Sequence, residues 1–119
     1  MVYPISRRSE GTYLATKHYD KLVRDRIPDI IRSGGGSCVC ERVSDKQYIE
    51  LLNRKLLEEV KEYLESGTVD ELADIGEVIR AILAYKGVAF EEFQRVRMEK
   101  LAARGGFKER ILLREVTEK

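Results

Sequence analysis

The sequence carries almost no net charge: 22 Lys and Arg stand against 21 Asp and Glu in 119 residues, +1 in all. Sequence-independent nucleic-acid binding needs a basic surplus to displace counterions, so nucleic acid is not an expected partner. Cysteine is scarce, with only Cys38 and Cys40. Two apart on one strand face, they are poorly placed to bridge each other, and a lone C-x-C is half a zinc ligand set. Without a disulfide framework the chain is expected in a reducing cytoplasm, with both thiols buried as small core residues. The single histidine, His18, has no visible partner and reads as a surface residue. No Ser-His-Asp logic, no Walker-type phosphate loop and no G-x-G-x-x-G is present, which removes support for nucleophile catalysis and dinucleotide binding. No apolar run approaches the roughly 20 residues of a membrane helix, and no signal peptide opens the chain, so no membrane partner is expected.

What is present is a chain 43% hydrophobic and 36% charged, long enough for one domain with a core of its own. Its charge is unevenly spread. Between Glu58 and Glu77 lie eight acids and one base, Lys61, a net −7 that leaves +8 for the remainder. A concentrated acidic stretch in basic surroundings suits a bound cation and an anionic ligand, and equally a solvated helical face.

Residues 1–18 show no sustained period and read as an irregular arm, with a single domain over 19–119. Pro28 suits the first turn of a short helix to about Arg32. Gly34-Gly35-Gly36 ends it, and Ser37 to Val43 reads as a strand. Ser44-x-x-Gln47 is a capping box opening a helix over about Asp45 to Glu65. Ser66-Gly67-Thr68 turns the chain into a helix from about Val69 to Lys86, stopped by Gly87. A further helix spans about Phe90 to Ala103, and Phe107 to Val116 reads as a second strand. The expected fold is mainly α, a helical bundle with a small two-stranded antiparallel β-sheet.

Helical phase sorts the acids. Ile49, Leu52, Leu56, Val60 and Tyr63 form one apolar stripe, and Glu59 occupies a seam position that packing alone would give to Leu. Glu62 borders the stripe beside Lys55, whereas Glu58 falls on the watery side. In the next helix Leu72, Ile75, Val78, Ile79 and Ile82 form the stripe, with Glu71 inside its sector, Asp74 at its edge and Glu77 pointing away. Two antiparallel helices packed stripe to stripe bring Glu59, Glu62, Glu71 and Asp74 together. Burying such carboxylates costs several kcal/mol each unless protons, bases or a metal offset it. An all-oxygen set suits Mg²⁺, or Mn²⁺ as a substitute, rather than zinc. The competing explanations are a Thr68-x-x-Glu71 capping box and a Lys55–Glu62 ion pair; neither explains Glu59. Arg97, Lys100 and Arg104 share a face with Phe93 next to Gly105-Gly106 and are candidates for phosphate binding, or basic chains snorkelling round a core helix. Lys21, Arg24 and Arg26 add further cations, with Asp25 a pairing partner for one of them. Tyr48 and Phe107 read as core residues or stacking platforms.

The segments KLVRDRIPDII (21–31), KLLEEVKEYLE (55–65), DELADIGEVI (70–79) and KLAARGGFKERILL (100–113) together resemble the all-α nucleotide pyrophosphohydrolase superfamily typified by MazG, and within it the small house-cleaning enzymes for noncanonical nucleoside triphosphates. The superfamily signature, E-x-x-E followed by E-x-x-D, falls on Glu59-Val-Lys-Glu62 and Glu71-Leu-Ala-Asp74. Eight residues separate Glu62 from Glu71, a tighter turn than in many members. The resemblance implies an enzyme that binds Mg²⁺ through these four residues and hydrolyses a triphosphate to the monophosphate and pyrophosphate. Lys21, Arg24, Lys55, Arg97, Lys100 and Arg104 are the candidate phosphate-binding residues, and Glu58 a candidate for the outer shell. Phosphoribosyl-ATP pyrophosphohydrolase is a relative with the same chemistry, and a non-catalytic helical nucleotide-binding or assembly module is the rival outside the enzymes. A bundle this short would expose apolar faces on both long helices, so a homodimer or larger assembly is expected.

Overall fold

The computed structural model describes residues 15–119. Four helices follow one another: α1 (Ile27–Ser33), α2 (Asp45–Ser66), α3 (Val69–Tyr85) and α4 (Phe90–Arg104). The arm expected over 1–18 lies mostly outside the described residues; 15–18 carry no regular structure, and His18 is exposed.

Local chemistry accounts for each boundary. Pro28 sits in the first turn of α1, where its missing N–H costs nothing. Ser44 caps α2 reciprocally: its Oγ accepts from the Gln47 N–H at 3.3 Å, and Gln47 Oε1 accepts from the Ser44 N–H at 3.4 Å. At the other end Gly67 is left-handed, with φ 67°, and its N–H donates to the Tyr63 carbonyl at 2.7 Å. A side chain there would strain the backbone, so glycine is what lets α2 reverse into α3 within two residues.

The antiparallel α2–α3 hairpin is the body of the molecule. Leu52 and Val78 are its buried apolar residues, and Ile49, Leu56, Tyr63, Ile75, Ile79 and Ile82 are half-buried around them. Tyr48 joins this layer edge-on to Tyr85, ring centroids 6.0 Å apart. α4 packs on the far end of α3, where the Arg80 guanidinium lies 3.9 Å from the Phe90 ring centroid. The core is thin and the chain extended: its radius of gyration is 19.9 Å, against about 13.5 Å for a compact domain of this length.

The two-stranded sheet is absent from the described residues, which contain no strand. Ser37 to Val43 carries no regular structure, with Val39 fully exposed. The expected partner, Phe107 to Val116, is interrupted by a turn: Arg110 has φ 56° and donates its N–H to the Phe107 carbonyl at 3.2 Å. A left-handed residue cannot continue a strand, and an isolated two-stranded ribbon is marginal in water. Phe107 is 96% exposed, so it is neither core nor packed platform. The thiols also depart from expectation: both are free, with Cys38 half-buried and Cys40 exposed, because the strand that would have covered them does not pair.

Candidate metal centre

Halfway along α2, at the face turned toward α3, the hairpin buries charge instead of hydrocarbon. Glu59 is 0% exposed and Lys55, one turn earlier, 6%. Neither oxygen of Glu59 has a hydrogen bond; its nearest compensation is the Lys55 ammonium, 3.5 Å from Oε1. Lys55 Nζ is also 3.7 Å from Glu58 Oε2.

Glu59 belongs to two groups of carboxylates. With Glu58 and Glu62 it forms a set on α2 alone, one oxygen from each lying within 4.8 Å of the others. With Glu71 and Asp74 it forms a second set, equally close, that joins α2 to α3. Helical geometry explains both: residues 58, 59 and 62 are spaced to share a face, 71 and 74 are one turn apart, and the tight hairpin sets the two faces opposite each other. Glu59 thus links the acids selected by helical phase, with Glu62 in the first group and Glu71 and Asp74 in the second.

Glu58 does not lie in open water as phase alone suggested. It is half-buried, because the segment before α1 folds back over the hairpin and Lys21 Nζ reaches Glu58 Oε1 at 2.6 Å. Three residues on, Arg24 Nη2 meets Asp74 Oδ1 at 2.6 Å. The i, i+4 relation of Glu58 to Glu62 was the available signal that Glu58 belongs with the cluster.

The electrostatics follow from this crowding. Burial pushes the Glu59 carboxyl up to about 7, with the adjacent Glu62 and the charge of Asp74 adding to the rise and Lys55 opposing it. Partial burial also acts to raise Asp74, but the positive charge around it, the Arg24 guanidinium included, outweighs burial and holds it below the ordinary carboxylate range.

The capping explanation for Glu71 is not realised. Thr68 makes no side-chain cap; its hydroxyl lies 3.3 Å from Ser66 Oγ, and its N–H donates to that same oxygen at 3.4 Å. Of the six candidate phosphate-binding cations, the structure brings Lys21, Arg24 and Lys55 to the acids. Arg97 instead donates to Gln94 Oε1 at 2.9 Å, and among the described residues no ion pair links Arg97, Lys100 or Arg104 to the cluster. All three are exposed on α4, whose packing is confined to α3.

The donor set is all oxygen, five carboxylates met among the described residues by Lys21, Arg24 and Lys55, and contains one buried carboxylate, Glu59, with no hydrogen bond. Such a set fits a hard divalent cation such as Mg²⁺ or Mn²⁺, which would neutralise carboxylate charge and supply the partner that the Glu59 oxygens lack.

No family model matches the chain, and no solved structure matches it. It is similar to an uncharacterized protein of Mycolicibacterium smegmatis, 43% identical over 56 residues that make up 47% of this chain and 57% of that protein. The chain thus spans a little over half the length of this relative, and no helix among the described residues is long and apolar enough to cross a membrane.

Proposed function

We propose that the chain is a Mg²⁺-dependent nucleoside triphosphate pyrophosphohydrolase, cleaving between the α and β phosphates to release the monophosphate and pyrophosphate, with noncanonical nucleotides as the substrate class. One observation carries this reading. Glu59, wholly buried and without a hydrogen bond, is shared by two triads of carboxylates. Buried charge left so incompletely compensated costs stability, and a hard cation is the partner that offsets it.

In this reading Glu59, Glu62, Glu71 and Asp74 hold the metal and Glu58 stands beside them. A bound Mg²⁺ would supply Lewis acidity toward phosphate oxygens and a water of lowered pKa. The chain's own part is to position and neutralise. Lys55, fixed between Glu58 and Glu59, lowers the repulsion among the acids. Lys21 and Arg24, on a segment that crosses the hairpin, are close enough to the acids to face the phosphates of a nucleotide bound there, where a guanidinium can donate two parallel hydrogen bonds. Arg97, Lys100 and Arg104 take part only if α4 of this or a second copy approaches the acids.

Glu59→Gln and Asp74→Asn, assayed for pyrophosphate release with Mg²⁺, are expected to lose activity by on the order of 100-fold or more, as befits direct ligands whose supporting groups alone are worth 10–100-fold. Near-unchanged turnover in both folded variants refutes the reading. Phosphoribosyl-ATP is the rival substrate, and a panel of canonical, oxidised and deaminated triphosphates beside it separates the two.

The exposed apolar side chains favour a homodimer or larger assembly. Leu57 and Leu64, 73% and 75% exposed one heptad apart, lie on α2 away from α3, and Ile111, Leu112 and Leu113 are likewise uncovered. The same surface is what a non-catalytic assembly module would show; absence of Mg²⁺-dependent nucleotide binding in calorimetry selects that alternative.

A further inference from the structure

Among the described residues, two kinds of cation meet the acids. Lys55 is 6% exposed and lies on α2 itself, so it cannot leave its carboxylates without stranding a buried ammonium. Lys21 and Arg24 differ. Their side chains are 27% and 48% exposed, they come from a segment without regular structure, and their contacts span 37 and 50 residues of sequence. Each ends on a different triad, Lys21 on Glu58 of the first and Arg24 on Asp74 of the second, so the segment straps one helix of the hairpin to the other beside the carboxylates that share Glu59. Part-exposed pairs of this kind bias an equilibrium by no more than about fivefold, so water and competing ions can replace them.

We propose that Lys21 and Arg24 form a displaceable counter-ion latch: they neutralise Glu58 and Asp74 while no divalent cation is bound, give way when one binds, and are then free to hold substrate phosphate. This rests on the reading of the acids as a cation site. The physical reason is competition for the same charge. Glu58 Oε1 and Asp74 Oδ1 are engaged at 2.6 Å by an ammonium and a guanidinium, and a divalent cation among the same carboxylates repels both. Once displaced, the two side chains lie beside the site with eight N–H donors between them, which suits the oxygens of a polyphosphate. Cation binding and phosphate binding are thereby coupled in a fixed order.

The latch makes effects of opposite sign on two ligands, which a purely structural ion pair does not. Mn²⁺ alone, followed by electron paramagnetic resonance, is titrated into the full chain and its Arg24→Gln, Lys21→Gln and Arg24→Lys variants, each checked for helicity by circular dichroism. Imidodiphosphate, which resists hydrolysis, is then titrated calorimetrically at saturating Mn²⁺. The expected result is Mn²⁺ affinity about three- to fivefold higher in Arg24→Gln and Lys21→Gln, near the unmodified value in Arg24→Lys, and imidodiphosphate affinity about tenfold lower in both Gln variants. Unchanged or weaker Mn²⁺ binding by the Gln variants, with the unmodified chain binding Mn²⁺, overturns the latch and leaves the cation site standing. Unchanged imidodiphosphate binding overturns the transfer to phosphate. No Mn²⁺ binding by any of the proteins overturns the cation site and the latch together.

Discussion

Glu59 is where metal-free stability and function meet most directly, and its pH dependence is the sharpest check on the site. In the folded chain its carboxyl sits at about 7, against an ordinary value of 4.5. A carboxyl raised on folding favours the protonated state, so its contribution to stability is complete below pH 4.5 and disappears as pH rises through 7. Relative to low pH, Glu59 lowers stability by about 1 kcal/mol at pH 5 and about 3 kcal/mol at pH 8, from 1.36 kcal/mol per pH unit of displacement. Asp74 has the opposite sign: held below its ordinary 3.8, it stabilises above that pH and loses its effect only under more acidic conditions, outside this window. Urea unfolding in excess chelator therefore gives a chain about 2 kcal/mol less stable at pH 8 than at pH 5. Glu59→Gln abolishes that slope, although the buried amide, lacking hydrogen bonds, costs about 1–3 kcal/mol at every pH. The slope rather than the absolute stability is the readout. Mg²⁺ at a hundredfold excess over its dissociation constant restores about 2.7 kcal/mol to the unmodified chain and nothing to the variant. A flat profile for the unmodified metal-free chain, or equal slopes for the two proteins, refutes the account of Glu59 as a buried, undercompensated carboxylate.

Two further outcomes test the frame around the site. Leu57→Glu with Leu64→Glu places charge on the uncovered stripe of α2 and is expected to shift light scattering at micromolar concentration from dimer or larger to monomer; a monomeric unmodified chain contradicts the association reading. Ser44→Ala removes the Oγ that accepts the Gln47 N–H at 3.3 Å and is expected to cost about 1 kcal/mol in urea unfolding, with Mn²⁺ affinity unchanged because the cap lies about four turns from Glu59.

The features legible in the sequence were those written in local chemistry. The capping box at Ser44, the glycine at 67 and the apolar stripes at helical spacing located α2 and α3 to within a residue at each end, and the same phase picked out Glu59 as a carboxylate in a leucine position. Long-range placement was not legible. Nothing in residues 21–24 says that they will cross a hairpin formed 37 and 50 residues later, so helical phase turns Glu58 toward water, leaving it at most an outer-shell candidate, and puts Lys21 and Arg24 level with three cations of α4 that do not reach the acids. The two strand readings failed for a related reason: β-friendly composition describes a surface waiting for a partner, and the turn at Phe107–Arg110 breaks that surface before it can pair.

The choice of residue at position 59 bears on what the chain is for. The described part of the molecule has four buried residues, and two of them, Lys55 and Glu59, are ionisable. With a core of that size each buried apolar side chain contributes a large share of the marginal stability of a small domain. Replacing a buried ion pair by hydrocarbon of similar volume is often neutral or stabilising, by about 1–4 kcal/mol, so a hairpin under selection for packing alone would place Leu at 59 and need no buried lysine at 55. Bundle assembly, the rival use for these helices, gains nothing from the carboxylate, since Glu59 faces α3 and not the exposed stripe of Leu57 and Leu64. Giving a central position of so thin a core to a carboxylate without a hydrogen bond is the feature that packing and assembly leave unexplained and that the proposed cation site accounts for.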